Sequence, residues 1–167
     1  MLPHYEEAKG RLLQFIDRYG LELRDELGGG WDGVVFATSA PTAVKAFRHE
    51  ELYRNELAVY HRLRERKVRL VREFQVPRLL RGDDEFWVIE MSWVTPPFVL
   101  DFACAYLDRE PPYANDPEVM GPWLAEKREQ FGDDWSEVRA VIAEFRRMGI
   151  HLSDIKPGNI QFKQPKT

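Results

Sequence analysis

The sequence has one cysteine, Cys104, so an internal disulfide is excluded and a reducing compartment is favoured. Its four histidines, at 4, 49, 61 and 151, do not combine with Cys104 in any zinc-type spacing. Nowhere do 18 apolar residues follow one another, and the opening MLPHYEEAKG has neither the basic start nor the apolar run of a signal peptide. The expectation is a cytoplasmic protein with no membrane partner. Positive charge is not in excess: 24 Lys and Arg against 28 Asp and Glu leave a net −4, so no global field recruits nucleic acid. The locally basic run HRLRERKVRLVR, 61 to 72, reads as a solvated helix face. Internal repeats and low-complexity segments are also missing.

What remains is a globular composition, 44% hydrophobic, 13% aromatic and 31% charged over 167 residues. That length makes one domain or two small lobes, and folding should bury about 70% of the surface of the unfolded chain. Residues 4 to 19 place Leu12, Leu13, Phe15, Ile16 and Tyr19 on one helical side before Gly20. LELRDELG then alternates as a strand, breaks at GGGWDG and resumes as VVFAT, a hairpin with a glycine-rich tip; TAVKAF, 42 to 47, follows as a third strand. A partly exposed helix is predicted over 50 to 66, then strands at QVPRLL and EFWVIEMSWV. Six prolines between 95 and 122 mark a boundary region with one short helical candidate, 98 to 107. Two further helices are expected, near 122 to 131 and at 134 to 148, with Asp133 and Asp134 as caps of the second.

Three features carry chemistry. Gly28-x-Gly30-x-x-Gly33-x-Val35 would let backbone amides approach phosphate oxygens, but three glycines in a plain turn give the same pattern. Its context is strand, turn, strand. A dinucleotide fingerprint would open a helix, and a Walker loop would need Lys-Ser/Thr after the last Gly. Lys45 lies within an apolar strand; a buried ammonium needs a counter-ion, and Glu56 on the next helix is the candidate, against a snorkelling Lys on an edge strand. DIKPGN, 154 to 159, supplies an acid, a cation and an amide within six residues.

In this order, with the strand VIEM before the loop, these elements resemble the signature set of the protein-kinase superfamily. GIHLSDIKPGNI is similar to the family's G-I-V-H-R-D-L-K-P-E-N-I. The resemblance spans roughly residues 21 to 162. It implies an α+β, two-lobed kinase-like fold: an antiparallel-sheet N-lobe over 1 to 93 and a reduced helical C-lobe over 94 to 167. It further implies that Gly28, Gly30, Gly33 and Val35 cover the phosphates of ATP, and that Lys45, paired with Glu56, holds the α- and β-phosphates. Ile89 would stand at the gate of the adenine site, with the Glu90 carbonyl and the Ser92 amide as its hydrogen-bonding edge. Asp154 would be the catalytic base, Lys156 the γ-phosphate cation and Asn159 a Mg²⁺ ligand. Lys156, two after the Asp, matches Ser/Thr rather than Tyr kinases, so the implied partner besides ATP is a protein.

The sequence also departs from that pattern. Leu152 and Ser153 replace His-Arg, and only ten residues separate Lys45 from Glu56. The family's Asp-Phe-Gly, whose Asp holds the bridging Mg²⁺, comes about a dozen residues past the matched Asn, yet no carboxylate follows Asp154 here. A degenerate kinase, a chain continuing beyond Thr167, or another carboxylate in that role would each account for this. Three functional readings therefore stay open: a minimal Ser/Thr-type kinase, a non-catalytic pseudokinase-type binding module, and a small-molecule phosphotransferase of the aminoglycoside or choline kinase type, whose loop D-x-x-P-G-N also resembles.

Overall fold

A computed structural model describes residues 3–164, so a continuation of the chain beyond Thr167 lies outside the described residues. In chain order the elements are α1 (Pro3–Tyr19), β1 (Leu23–Gly29), β2 (Gly33–Thr38), β3 (Thr42–Phe47), α2 (Glu50–Glu65), β4 (Leu70–Val71), β5 (Phe74–Gln75), β6 (Leu79–Asp83) and β7 (Val88–Ser92). Then come β8 (Phe98–Val99), β9 (Tyr106–Leu107), α3 (Pro117–Phe131), a 3₁₀ turn (Gly132–Asp134), α4 (Trp135–Arg147), β10 (Ile150–His151) and β11 (Ile160–Gln161). Two compact units result: Met1–Lys67 with Pro77–Trp93, and Val68–Val76 with Val94–Thr167.

The first unit is an antiparallel sheet of order β1-β2-β3-β7-β6 with a helix on each face. Side chains alternate across a strand, so Val44 and Ala46 of β3 join Leu12 and Phe15 of α1 in one core, while Lys45 turns to the α2 face. α1 ends where Gly20 takes φ +62; the amides of Gly20 and Leu21 return to the carbonyls of Asp17 and Ile16, a glycine-dependent helix stop. Its buried stripe is Ala8, Leu12 and Phe15; Leu13, expected there, is half exposed. On α2 the buried stripe is Tyr53, Glu56, Val59, Tyr60 and Leu63, so Glu56 lies within the stripe.

The β6–β7 turn is fixed by Asp83. Its carboxylate accepts from Tyr19 Oη at 2.7 Å, from the amides of Glu85 and Phe86 at 3.0 and 3.2 Å, and pairs with Arg18 at 3.1 Å. Burial pushes this carboxyl up, but the hydrogen bonds from Tyr19, Phe86, Glu85 and Arg18 outweigh it and hold the group below its usual 3.8.

The second unit has α3 and α4 with two small sheets, β11-β8-β5-β4 and β10-β9. α4 buries Trp135, Val138, Val141, Ile142 and Phe145, the predicted face. α3 starts five residues earlier than Pro122: Asp116 accepts from the Glu118 amide at 2.9 Å and Pro117 occupies the first turn, leaving Pro122 inside the helix. Asp134 sits at the cap position of α4, but its side chain makes no capping hydrogen bond. The helix expected over 98 to 107 is instead β8, a turn and β9. Asp101 takes φ +69, a left-handed residue that interrupts any α-helix over this range. The single strand expected at QVPRLL divides at Val76-Pro77, its first part pairing in the second unit and its last in the first. The basic run leaves the helix after Glu65 and reaches β4 through Lys67 at φ +55.

Candidate functional site

In the first unit, β1 and β2 form the glycine-tipped hairpin and β3 lies beside β2 with Lys45 opposite Val35. β3 is buried along its whole length, which puts the Lys45 ammonium in the interior. Lys45 Nζ lies 2.8 Å from Glu56 Oε2 and 2.7 Å from Asp32 Oδ2. Side-chain exposures of 6% for Lys45, 1% for Glu56 and 20% for Asp32 make this a buried charge triad with one negative charge in excess. The edge-strand snorkel is thereby ruled out. Asp32 is absent from the sequence-based expectation, which weighs only the glycines of the turn; the available signal is a carboxylate between Gly30 and Gly33, one strand from a buried Lys.

The three glycines differ physically. A Cβ on Gly33 would come within 2.1 Å of the Ala46 carbonyl oxygen, so the β2–β3 ladder itself demands glycine there. A Cβ on Gly28 would meet nothing within 4 Å, and one on Gly30 only Asp32 Oδ1 at 3.7 Å. Chain packing therefore explains Gly33 but neither of the other two. Gly30 N–H donates to the Gly33 carbonyl at 3.0 Å, closing the tip, and the Arg48 amide donates to the Asp32 carbonyl at 2.8 Å, tying the tip to the end of β3.

On β7, Ile89 stands opposite Lys45 and is fully buried. Glu90 pairs across both neighbours, with Val44 and Arg81, and its buried carboxylate meets Arg81 Nε at 2.8 Å. Ser92 is committed twice: its amide donates to the Arg78 carbonyl at 2.9 Å, and its Oγ accepts from the Arg78 amide at 2.8 Å. Glu90 is interior to the sheet, and the Ser92 amide already has an acceptor.

In the second unit, residues 152 to 159 form a loop between β10 and β11. Asn159 Nδ2 donates to the Asp154 carbonyl at 2.9 Å and to Asp154 Oδ2 at 3.0 Å. Lys156 Nζ lies 3.1 Å from the same Oδ2. The turn closes through the amides of Asn159 and Ile160 on the Lys156 carbonyl. Asp154, Lys156 and Asn159 thus come together, with Asn159 buried and the other two open to solvent. With both bonds made by its nitrogen, Asn159 keeps Oδ1 as an acceptor, the atom a hard cation would use. Ser153, in the place of the family's Arg, bonds the Cys104 carbonyl at 2.5 Å.

No helix among the described residues is long and apolar enough to cross a membrane. No family model matches the chain, and no curated protein does. Among solved structures, the ternary complex of streptomycin and ATP with APH(2")-IIa is similar over 88% of this chain, at 13% identity and a TM-score of 0.43. The chain spans 40% of that structure's length. A likeness this distant leaves the functional argument to the residues themselves.

Proposed function

We propose that the chain is a kinase-like domain that binds ATP and transfers its γ-phosphoryl group to a hydroxyl acceptor, with a Ser or Thr side chain as the acceptor class. The observation that carries the reading is the buried Lys45–Glu56 pair at 2.8 Å, set on the strand after a glycine turn. A buried ammonium is costly, and a single carboxylate would satisfy it; the arrangement is useful when the cation must be held, charged, for an anion. Lys45 is the phosphate-holding cation, and Gly28 and Gly30, unforced by packing, leave room for phosphate oxygens beside the hairpin tip.

In the transfer, Asp154 takes the proton of the acceptor hydroxyl. The hydroxyl oxygen bonds to the γ-phosphorus, the bond from phosphorus to the β,γ-bridging oxygen breaks, and ADP carries the electron pair away. Lys156 offsets charge on the transferred group. Mg²⁺, when bound, offsets charge on the phosphate oxygens; Asn159 Oδ1 is the loop atom suited to it.

Calorimetric titration with ATP tests the binding half. Lys45→Met alone would take the ammonium from two carboxylates, so the informative variant is Lys45→Met with Glu56→Gln, which removes both charges of the pair. The expected result is micromolar-range ATP binding by the wild type that the double variant loses while staying folded. Equal binding by the two proteins would sink the assignment. Asp154→Asn then reads the transfer half through labelled phosphate on a protein acceptor; binding without Asp154-dependent transfer leaves the non-catalytic reading, and transfer only to small hydroxylated compounds leaves the small-molecule one.

A further inference from the structure

Two distant stretches of the second unit run antiparallel on both sides of the Asp154 loop. After the loop, β11 pairs with β8, Ile160 opposite Val99 and Gln161 opposite Phe98. Before it, β10 pairs with β9, Ile150 opposite Leu107 and His151 opposite Tyr106. Between the two pairings lie LDFACA, residues 100 to 105, on one side and the loop 152 to 159 on the other. They are joined directly: the Leu100 amide donates to the Asn159 carbonyl at 2.8 Å, and Ser153 Oγ to the Cys104 carbonyl.

A carboxylate placed about a dozen residues after the loop Asn reaches a cation shared with that Asn only if the chain runs out as a strand and returns antiparallel beside it. Here β11 is the outgoing strand. The antiparallel partner that ends beside Asn159 is β8, and it arrives from upstream. Immediately past the β8 pairing stand Leu100 and then Asp101-Phe102-Ala103, against the family's Asp-Phe-Gly.

We propose that Asp101 is the metal-binding carboxylate of this domain, supplied by a segment that precedes the catalytic loop, so that the order of the two segments is permuted. The inference rests on the ATP-dependent reading above and deepens it. Asp101 immediately follows the residue bonded to Asn159, and its φ of +69 turns the chain out of the strand there. Phe102 is fully buried, its ring 5.7 Å from that of Phe145 on α4, which anchors the segment next to the carboxylate. Asp101 and Asn159 Oδ1 would supply hard oxygen donors of the kind Mg²⁺ takes with phosphate oxygens and water.

The test measures metal binding directly. Mn²⁺ is titrated into the wild-type protein with saturating ATP and followed by electron paramagnetic resonance, and ATP affinity is measured separately in EDTA. Gly enters the left-handed region freely and Asn does so much as Asp does, so Asp101→Asn and Asp101→Gly should both keep the turn. Each variant is expected to lose at least about tenfold in Mn²⁺ affinity while its ATP affinity in EDTA stays at the wild-type value. Asp133→Asn, in the 3₁₀ turn before α4, should leave both unchanged. Wild-type Mn²⁺ affinity in the two Asp101 variants overturns the permutation and leaves the proposed function standing; a wild type that does not bind ATP in EDTA overturns both.

Discussion

Asp32 approaches the Lys45 ammonium to 2.7 Å, slightly closer than Glu56 does, from the tip of the hairpin that the proposed function sets over phosphate. Under the proposed function, a phosphate oxygen would compete with this carboxylate for Lys45. Binding of ATP then requires Asp32 to yield, and part of the phosphate attraction goes into displacing it. Asp32→Asn should therefore tighten ATP binding, about tenfold if the exchange costs about 1.4 kcal/mol. Calorimetry on the single variant checks this, and weaker binding would mean that Asp32 assists the nucleotide and does not compete with it.

The same triad predicts an order of stabilities. Glu56→Gln leaves Lys45 with Asp32, whereas Lys45→Met removes the ammonium that both carboxylates contact. Breaking a buried pair costs about 3–5 kcal/mol. Lys45→Met should reach that range in urea unfolding, Glu56→Gln should fall clearly below it, and the double variant should recover part of the Lys45→Met loss.

Gly33→Ala should destabilise the domain by more than about 2 kcal/mol, because its Cβ would meet the Ala46 carbonyl at 2.1 Å, a backbone atom that cannot rotate away. Gly28→Ala and Gly30→Ala have room and should melt within a degree or two of the wild type. Any loss of ATP affinity in these two then reports on phosphate approach and not on folding.

How much of this is open to sequence reading depends on where the cause lies. The hairpin, β3, α2 and α4 follow from periodicity and turn residues, which are local, and the counter-ion of Lys45 follows from the cost of burying its charge. The segment 98 to 107 does not yield to the same reasoning. Two-residue strands have no periodicity to detect, and what makes Phe98 and Val99 a strand is a partner at 160 and 161. The Ser92 contacts are non-local in the same way: nothing near it in sequence announces that Arg78 bonds both its amide and its hydroxyl. Gly33 stands out in the sequence for phosphate approach, while its requirement arises from the neighbouring strand.

A pH effect arises from Asp83, whose carboxyl is held below its usual 3.8. A depressed folded value means that the stabilisation is fully present above the unfolded value and is lost as pH falls through the folded one. Tyr19→Phe removes one of the hydrogen bonds and should cost about 1 kcal/mol at pH 7, less than a fully buried bond to a charged group because the ring is partly exposed. That deficit should persist down to pH 4 and shrink only below 3.8. Urea midpoints of both proteins from pH 7 to pH 2.5 would reveal it, and a difference that stays constant down to pH 2.5 would exclude Asp83 as the source.

The contact between Ser153 and Cys104 joins residues 49 positions apart, and the strand pairs on either side of it are similarly distant. None of these can form until residues 150 to 161 have left the ribosome. The hairpin and helices of the first unit complete themselves much earlier from near neighbours, apart from β6 and β7. A nascent chain stalled at residue 140 would thus carry a finished Lys45 ion pair and no Asp154 loop. Closure of so long a loop is entropically slow, so the Asp154 loop and the strands that pair around it are completed late, after the first unit is already in place.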